Sequence, residues 1–192
     1  MTAKLRQAVQ DFVRLFESHE IPYALLGGLA ARAHGIPRPT WDVDFTVAVE
    51  RSRLALLFEE AEQLGYTVPS AYRAGWIDQV GGMPFVKFGV AIDDRSVDID
   101  VFLAESSYLE KVIERRIRTS LDDMSEVCVV TPEDLIVLKS ISNRPRDLID
   151  IHDVLFMQGD LDRAYMRQWA ERLGALQTLE ESLRKFDESA GG

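Results

Sequence analysis

The chain has 192 residues, a length that suits one domain or one domain with a helical appendage. With 46% hydrophobic and 28% charged residues, its composition is that of a globular protein. Its formal net charge of -10 argues against broad, charge-driven binding to nucleic acid, although a local basic groove stays open. No segment approaches about 18 uninterrupted apolar residues, so we expect a cytoplasmic protein with no membrane partner.

The first part of the chain is predicted to alternate helices and strands. Apolar residues at helical spacing from Leu5 to Phe16 predict an amphipathic helix, and "YALLG" after it is typical of a short buried strand. Gly27 and Gly28 are expected to turn the chain into a short helix over "LAARAHG". The pattern "WDVDFTVAV" predicts a strand, and "RSRLALLFEEAEQLG" predicts an amphipathic helix.

Two more strands and a helical region complete the predicted order. "PFVKFGVAI" and "SVDIDVFLA" are predicted as strands joined by the acidic turn "DDR", and a helix through "SYLEKVIERRI" precedes the strand "EVCVV". Cys128, the one cysteine, is expected to be a buried thiol in that strand. Thr131 as a cap and Pro132 in the first turn predict a helix, and the chain stays almost wholly helical to about residue 187. The sequence therefore predicts an α+β fold, with a small mixed sheet over residues 1–130 and helices packed on it over 131–192.

Two pairs of aspartates follow the alternation of their strands. Asp42 and Asp44 are expected on one face of the first acidic strand, and Asp98 and Asp100 repeat the arrangement on the second. Two carboxylates at such a short distance repel each other unless a cation lies between them, and Mg²⁺ is the usual cation of an all-oxygen site. Either pair alone is equally well explained as exposed polar positions, whereas both pairs together favour a metal site on neighbouring strands.

The doubled glycine has two explanations. Because Gly27 and Gly28 lack a Cβ atom, the backbone there can approach a ligand closely, and the free N–H groups of a helix that begins after them would favour phosphate. Tight packing between a strand and a helix explains most such pairs equally well, so the glycines alone do not identify a site.

These motifs together resemble a known signature. The segment "LLGGLAARAHGIPRPTWDVDFTV" is similar to the signature of the nucleotidyltransferase superfamily related to DNA polymerase β, with thirteen residues between Gly28 and Asp42. Arg38 and Thr40 before the aspartates are similar to the bacterial AbiEii-type branch, which is known from toxin–antitoxin and phage-abortive systems. "VDIDVFLA" fits the strand of the third carboxylate, and "DLIVLKSISNRPRDLIDIHDVL" resembles the C-terminal motif of that branch.

The resemblance implies transfer of a nucleoside monophosphate from an NTP to an acceptor hydroxyl, dependent on Mg²⁺ (or Mn²⁺), with release of pyrophosphate. Asp42 and Asp44 would hold the ions, Asp100 would hold the ion nearer the acceptor, and Asp98 is an alternative ligand. The nucleotide-binding residues that it implies are Gly27, Gly28, Arg38, Thr40, Lys139 and Arg144. One departure is Gly89, which stands where the AbiEii-type branch often has the acid of a Lys-x-Asp pattern.

Several nearby residues have plainer explanations. Four residues recur at helical spacing, which for most of them favours a solvated face rich in ion pairs: Arg146, Asp147, Asp150 and Asp153. Asp147 and Asp150 are also spaced to orient Lys139 or Arg144. His34 is expected to make a local hydrogen bond rather than to bind metal.

Three functions fit the sequence to different degrees. The first is the metal-dependent nucleotidyltransferase, which the intact set of three aspartates favours. The alternative is a catalytically degenerate module on the same fold that binds nucleotide or a partner. A metal-dependent phosphohydrolase would carry histidines near the acids, and the sequence has none there. The acceptor is left open among a small molecule such as an aminoglycoside, a tRNA end and a protein hydroxyl, and a cognate antitoxin is a possible partner.

Overall fold

A computed structural model describes residues 1–80, 82–92, 95–124 and 126–190 of the chain. The helices in this part, α1 to α9 in chain order, are Ala3–Ser18, Gly27–Ala33, Leu54–Gln63, Ser70–Arg73, Ser107–Arg115, Pro132–Ser142, Pro145–Gln158, Arg163–Arg172 and Leu176–Ala190. The strands, β1 to β7, are Tyr23–Leu25, Val43–Val47, Asp78–Val80, Met83–Ile92, Arg95–Leu103, Ile117–Ser120 and Glu126–Val129. A short 3₁₀ turn, Arg51–Arg53, leads into α3.

The strands form one mixed sheet in the order β3-β4-β5-β2-β1-β7-β6. The pairs β2–β5 and β1–β7 are parallel, and the other neighbouring pairs are antiparallel. The α+β class with a mixed sheet is thus confirmed, and the two acidic strands, β2 and β5, are direct neighbours in the middle of the sheet. The acidic turn predicted between β4 and β5 falls partly on residues 93 and 94, which lie outside the described residues.

Two hydrophobic cores cover the two faces of the sheet. The first joins α1 and α3 to the alternate residues of β2 and β5, such as Phe45 and Val101. The second joins α2, α5 and the C-terminal helices, so that α6 with Leu135 and α7 with Val154 pack on the same side as Ala30. This second core contains residues from both sides of position 130, and the boundary expected there stays a prediction. Cys128 is buried, as expected.

The differences from the predicted elements are local. The helix expected through Ile117 ends at Arg115, because Arg116 is extended (φ -49°, ψ 145°) and Ile117 begins β6. The short elements α4 and β3 were not predicted at all. Strand β2 begins at Val43, so Asp42 lies one residue before it rather than inside it. Among the described residues, no helix combines the length and apolar content needed to cross a bilayer.

Candidate active site

The centre of the site is a pair of aspartates on neighbouring parallel strands. Asp44 of β2 and Asp100 of β5 are register partners, so their Cα atoms lie about one strand spacing apart, roughly 5 Å. Both are half-buried, and Asp42, just before β2, is exposed. Their apolar neighbours Val43 and Ile99 point into the first core, which fixes the aspartates on the opposite face of the sheet. Strand pairing therefore brings two of the predicted site residues together, Asp44 and Asp100, and Asp42 directly precedes the first of these strands.

The electrostatics of this pair are unfavourable for two negative charges. Burial, followed by the charges of Asp100 and Asp42, raises the pKa of Asp44 to about 6, even though Lys139 and Arg144 act in the opposite direction. Burial also raises the pKa of Asp100, against the opposing effect of its ion pair with Lys87. Such shifts are typical of carboxylates that are held together for a function rather than for stability.

Gly27 makes room for Asp44. Helix α2 begins at Gly27 itself, whose φ is +59°, and the Leu26 N–H donates a hydrogen bond to the Asp44 carbonyl at 2.8 Å. A Cβ atom on Gly27 would lie 2.0 Å from Asp44 Oδ2, and one on Gly28 would lie 2.8 Å from Thr40 Oγ1. The doubled glycine therefore lets the start of α2 approach the Asp44 carboxylate and the Thr40 hydroxyl more closely than any other residue would.

The C-terminal helices contribute a buried cluster of charges. Lys139 of α6, which is 5% exposed, forms ion pairs with Asp150 and, at 3.2 Å, with Asp147 of α7. Arg144 pairs with Asp147 at 2.7 Å, and Arg38 pairs with Asp150. The expectation of a solvated face was wrong for Asp147 and Asp150, which are 4% and 2% exposed, and their ion pairs agree with the alternative that they orient Lys139 and Arg144. They are buried because Lys139 is buried and a buried ammonium group requires counter-ions.

The same helices hold the segment that leads to Asp42. Arg146 of α7 donates a hydrogen bond to the Pro39 carbonyl at 2.7 Å, next to the Arg38–Asp150 ion pair. Thr40 Oγ1 in turn donates to the Asp42 carbonyl at 3.3 Å. The position of Asp42 therefore depends on contacts with residues more than a hundred positions further along the chain.

Lys87 is a member of the site that the sequence analysis missed. It lies on β4 directly opposite Asp100, and its Nζ atom is 3.0 Å from Asp100 Oδ1 and 3.3 Å from Asp98 Oδ2. Asp98 is half exposed and lies on the same face as Asp100. The signal in the sequence was the alternation of "PFVKFGVAI", which puts Lys87 on one face of a strand predicted to adjoin the acidic one.

The side chains present fit a divalent cation on the Asp42–Asp44 side. Asp44 carries a carboxylate that burial and its acidic neighbours make costly to ionise without a counter-ion, and the Gly27 backbone leaves space beside it. Asp100 Oδ1 is buried and, apart from the ammonium group of Lys87 at 3.0 Å, has no polar partner among the described residues, so it retains lone pairs for a further ligand. Within the described ranges, however, no group of three or more His, Cys, Asp or Glu side chains is arranged to hold an ion. Ligands from a bound nucleotide would have to complete such a site.

His34 has a structural role. Its Nε2 atom lies 2.8 Å from the Val130 carbonyl oxygen, and burial lowers the pKa of its imidazole. The expected local hydrogen bond is present, and it joins the end of α2 to the strand end at β7.

The sequence of the chain identifies its family. Residues 11–190 match the family described as "Nucleotidyl transferase AbiEii toxin, Type IV TA system". The match spans nearly the whole chain, so the protein belongs to the AbiEii nucleotidyltransferase family and is an enzyme of the nucleotidyltransferase class. Among curated proteins, no sequence matches the chain significantly.

Solved structures share the fold at low sequence identity. The solution structure of the antibiotic-resistance factor ANT(2'')-Ia is similar with a TM-score of 0.53 and 13% identity, covering 98% of this chain and 100% of that one. Its complex with adenylyl-2''-tobramycin gives a TM-score of 0.51 and 14% identity, covering 96% and 99%. The lincomycin-bound lincosamide antibiotic adenylyltransferase LnuA gives 0.52 and 16%, covering 80% and 96%. At these identities the similarity establishes the fold and not the substrate.

Proposed function

We propose that the protein transfers a nucleoside monophosphate from an NTP to an acceptor hydroxyl and releases pyrophosphate, with Asp42, Asp44 and Asp100 as the catalytic carboxylates. The observation that carries this proposal is the register pairing of Asp44 with Asp100, beside Gly27, where an added Cβ atom would lie 2.0 Å from Asp44 Oδ2. Two carboxylates side by side repel each other, and this repulsion lowers the stability of the fold. A purely structural role therefore does not explain why both are present.

The triphosphate lies on the side of Gly27 and Gly28 in this proposal. Arg38, Lys139 and Arg144 supply three positive charges on that side, against the two negative charges of Asp147 and Asp150. Together with a cation held by Asp42 and Asp44, the remaining positive charge of this cluster suits phosphate oxygens, and the Thr40 hydroxyl next to Gly28 can exchange its hydrogen bond to the Asp42 carbonyl for one to a phosphate oxygen.

The proposed metal ligands are Asp42 and Asp44, with Asp100 and Asp98 on the acceptor side. When bound, Mg²⁺ or Mn²⁺ supplies positive charge to the phosphate oxygens and to the attacking oxygen. Asp100 faces the acceptor, whose hydroxyl oxygen forms the new bond to the α-phosphorus while the bond to the pyrophosphate oxygen breaks. The hydroxyl proton passes to the Asp100 carboxylate, since a base must lie within hydrogen-bond reach of the attacking group.

The biological setting is proposed from the family. The family description names a toxin of a type IV toxin–antitoxin system, which supports a toxin component with a cognate antitoxin. Structures of the same fold carry antibiotics or their adenylylated product, so a small-molecule acceptor is supported by the fold alone.

Labelled nucleotides test the proposal. The protein is incubated with each NTP labelled at the α-phosphorus, with Mg²⁺ and a cell extract as the source of acceptor. We expect the α-label to become covalently attached to one class of acceptor, while a γ-label appears in pyrophosphate. If the α-label never leaves the nucleotide pool although the protein binds NTP, the alternative of a degenerate nucleotide-binding module is correct instead.

A further inference from the structure

A lysine is built into the acidic face next to the proposed catalytic carboxylates. Asp44, Asp100 and Lys87 are successive register partners on β2, β5 and β4, so they lie side by side across three adjacent strands. The Lys87 ammonium group contacts both acids of β5, at 3.0 Å from Asp100 Oδ1 and 3.3 Å from Asp98 Oδ2. The row therefore ends in a positive charge on the side away from Gly27.

The backbone fixes this position. Residues directly opposite in an antiparallel ladder have Cβ atoms about 5 Å apart, so the base of the Lys87 side chain is held beside Asp100 and its ammonium group stays within reach of that carboxylate. Gly89 lies opposite Asp98 in the same ladder, so Lys87 reaches Asp98 diagonally. A side chain at Gly89 would collide with Thr67, because its Cβ atom would lie 2.8 Å from Thr67 Oγ1.

The surroundings of the ammonium group favour a fixed ion pair over a chance surface contact. The Nζ atom lies 5.5 Å from the centre of the Phe85 ring, whose side chain is 8% exposed, and the Lys87 side chain itself is 35% exposed. An exposed pair on long, free side chains contributes little, whereas a lysine held by two carboxylates and an aromatic ring keeps one geometry.

From this arrangement we propose that Lys87 is the permanent counter-ion of Asp100 and takes the place of a second metal ion. The site then binds one divalent cation, between Asp42, Asp44 and the nucleotide phosphates. This inference rests on the proposed function and removes Asp100 and Asp98 from its metal ligands, while Asp100 keeps its role toward the acceptor. Its physical basis is repulsion: a second divalent cation at Asp100 would lie a few ångströms from the Lys87 ammonium group, which Asp100 and Asp98 both attract to this position.

Manganese stoichiometry tests the inference without an activity measurement. Free Mn²⁺ is measured by electron paramagnetic resonance during titration of the full chain with a non-hydrolysable NTP analogue present. The variants are Lys87→Met, which removes the charge, Lys87→Arg, which keeps it, and Lys111→Met as a control. Lys111 is an exposed lysine on α5 that pairs with Glu114, outside the site.

We expect one ion per chain for the wild type, Lys87→Arg and Lys111→Met. Lys87→Met should bind a second ion, and Mn²⁺ alone should raise its melting temperature more than that of the wild type. Two ions bound to the wild type would overturn the inference, and this result does not depend on whether any variant folds. A single ion bound to folded Lys87→Met would also overturn it. If the wild type binds two ions together with the nucleotide, the proposed function stands without this inference. If it forms no complex with metal and nucleotide, the proposed function fails and the inference with it.

Discussion

The Asp44 carboxyl group shows at the scale of one residue how function opposes stability in this site. Its pKa is about 6 in the folded chain, because the group is buried and because Asp100 and Asp42 lie near it. In an unfolded chain an aspartate has a pKa near 4. The folded protein therefore binds a proton at Asp44 more tightly than the unfolded chain does, and the free energy of unfolding falls as the pH rises through this interval.

Asp44→Asn removes that dependence. Above about pH 6 we expect the apo variant to be more stable than the wild type by about 2 kcal/mol, a value reduced from the full shift for solvent screening. Near pH 4 the gain should almost vanish, because Asp44 is then protonated in the folded wild type. Urea unfolding of both proteins at pH 4 and pH 8 measures the difference. A variant that is destabilised at pH 8 would mean that the carboxylate serves as a structural hydrogen-bond acceptor.

At the scale of helices and strands, the length and periodicity of each element decided whether the sequence predicted it. The long amphipathic helices and the alternating strands were predictable, because their apolar residues recur with a clear period over many positions, as from Leu5 to Phe16. The short elements α4, β3 and β6 have three or four residues and no periodicity, so nothing in the sequence indicated them.

The residues of the site were predictable only where local alternation or a sequence motif specified them. Asp42, Asp44 and Asp100 follow from alternation and from the family motif. Alternation indicated the face of the strand on which Lys87 lies, but its pairing with Asp100 was not predictable, because it depends on the register between β4 and β5. The burial of Asp147 and Asp150 depends on how α6 and α7 pack, which local periodicity does not specify.

Gly27→Ala tests the close approach of α2 and β2. The added methyl group would meet Asp44 Oδ2 at 2.0 Å, at a residue whose φ of +59° already disfavours a side chain. We expect the free energy of unfolding to fall by about 2 kcal/mol or more and nucleotide affinity to fall at least about ten-fold, a change of about 1.4 kcal/mol in binding free energy. Chemical denaturation and titration with an NTP analogue measure the two effects.

Gly65→Ala is the matched control for that variant. Gly65 also has a positive φ, +91°, but an added Cβ atom there would meet nothing within 4 Å. It should lose stability through backbone strain alone and keep the nucleotide affinity of the wild type. Equal nucleotide affinity in the two variants would show that the contact between Gly27 and Asp44 has no part in binding.

At the scale of the whole molecule, the C-terminal helices bring charges to a site built on the sheet. Arg38 pairs with Asp150 of α7, and Lys139 of α6 is buried between Asp147 and Asp150. Removing Lys139 would leave two buried carboxylates with one fewer counter-ion, which typically costs about 3–5 kcal/mol. A substitution of Lys139 therefore confounds nucleotide binding with folding, and Arg144 is the better probe.

Arg144→Gln should weaken nucleotide binding with little effect on the apo protein. Its side chain is 74% exposed and forms one ion pair, with Asp147. With Mg²⁺ and NTP at about 100 times the dissociation constant, ligand binding stabilises the wild type by about 2.7 kcal/mol, which corresponds to a rise in melting temperature of roughly 5–10 °C. We expect the rise to be clearly smaller for Arg144→Gln.

Arg163→Gln is the control. Arg163 forms a comparable exposed ion pair, with Asp187, and both residues lie outside the sequence motifs of the site. It should keep the full nucleotide-dependent shift. If Arg144→Gln also keeps it, the proposed contact between Arg144 and the triphosphate is wrong.

The central claim is that Asp42 and Asp44 make this protein a catalyst of nucleotidyl transfer, and label transfer from an α-labelled NTP in the presence of Mg²⁺ tests it most directly. Wild type, Asp42→Asn, Asp44→Asn and the exposed control Asp160→Asn are compared at equal concentration with the same acceptor source. Each Asn keeps the shape of the side chain and removes the charge that would hold the ion. The account predicts full transfer by the wild type and by Asp160→Asn, and a loss of at least about a thousand-fold, roughly 4 kcal/mol in the barrier, for the two site variants. Transfer by Asp42→Asn or Asp44→Asn at the rate of the wild type would contradict it.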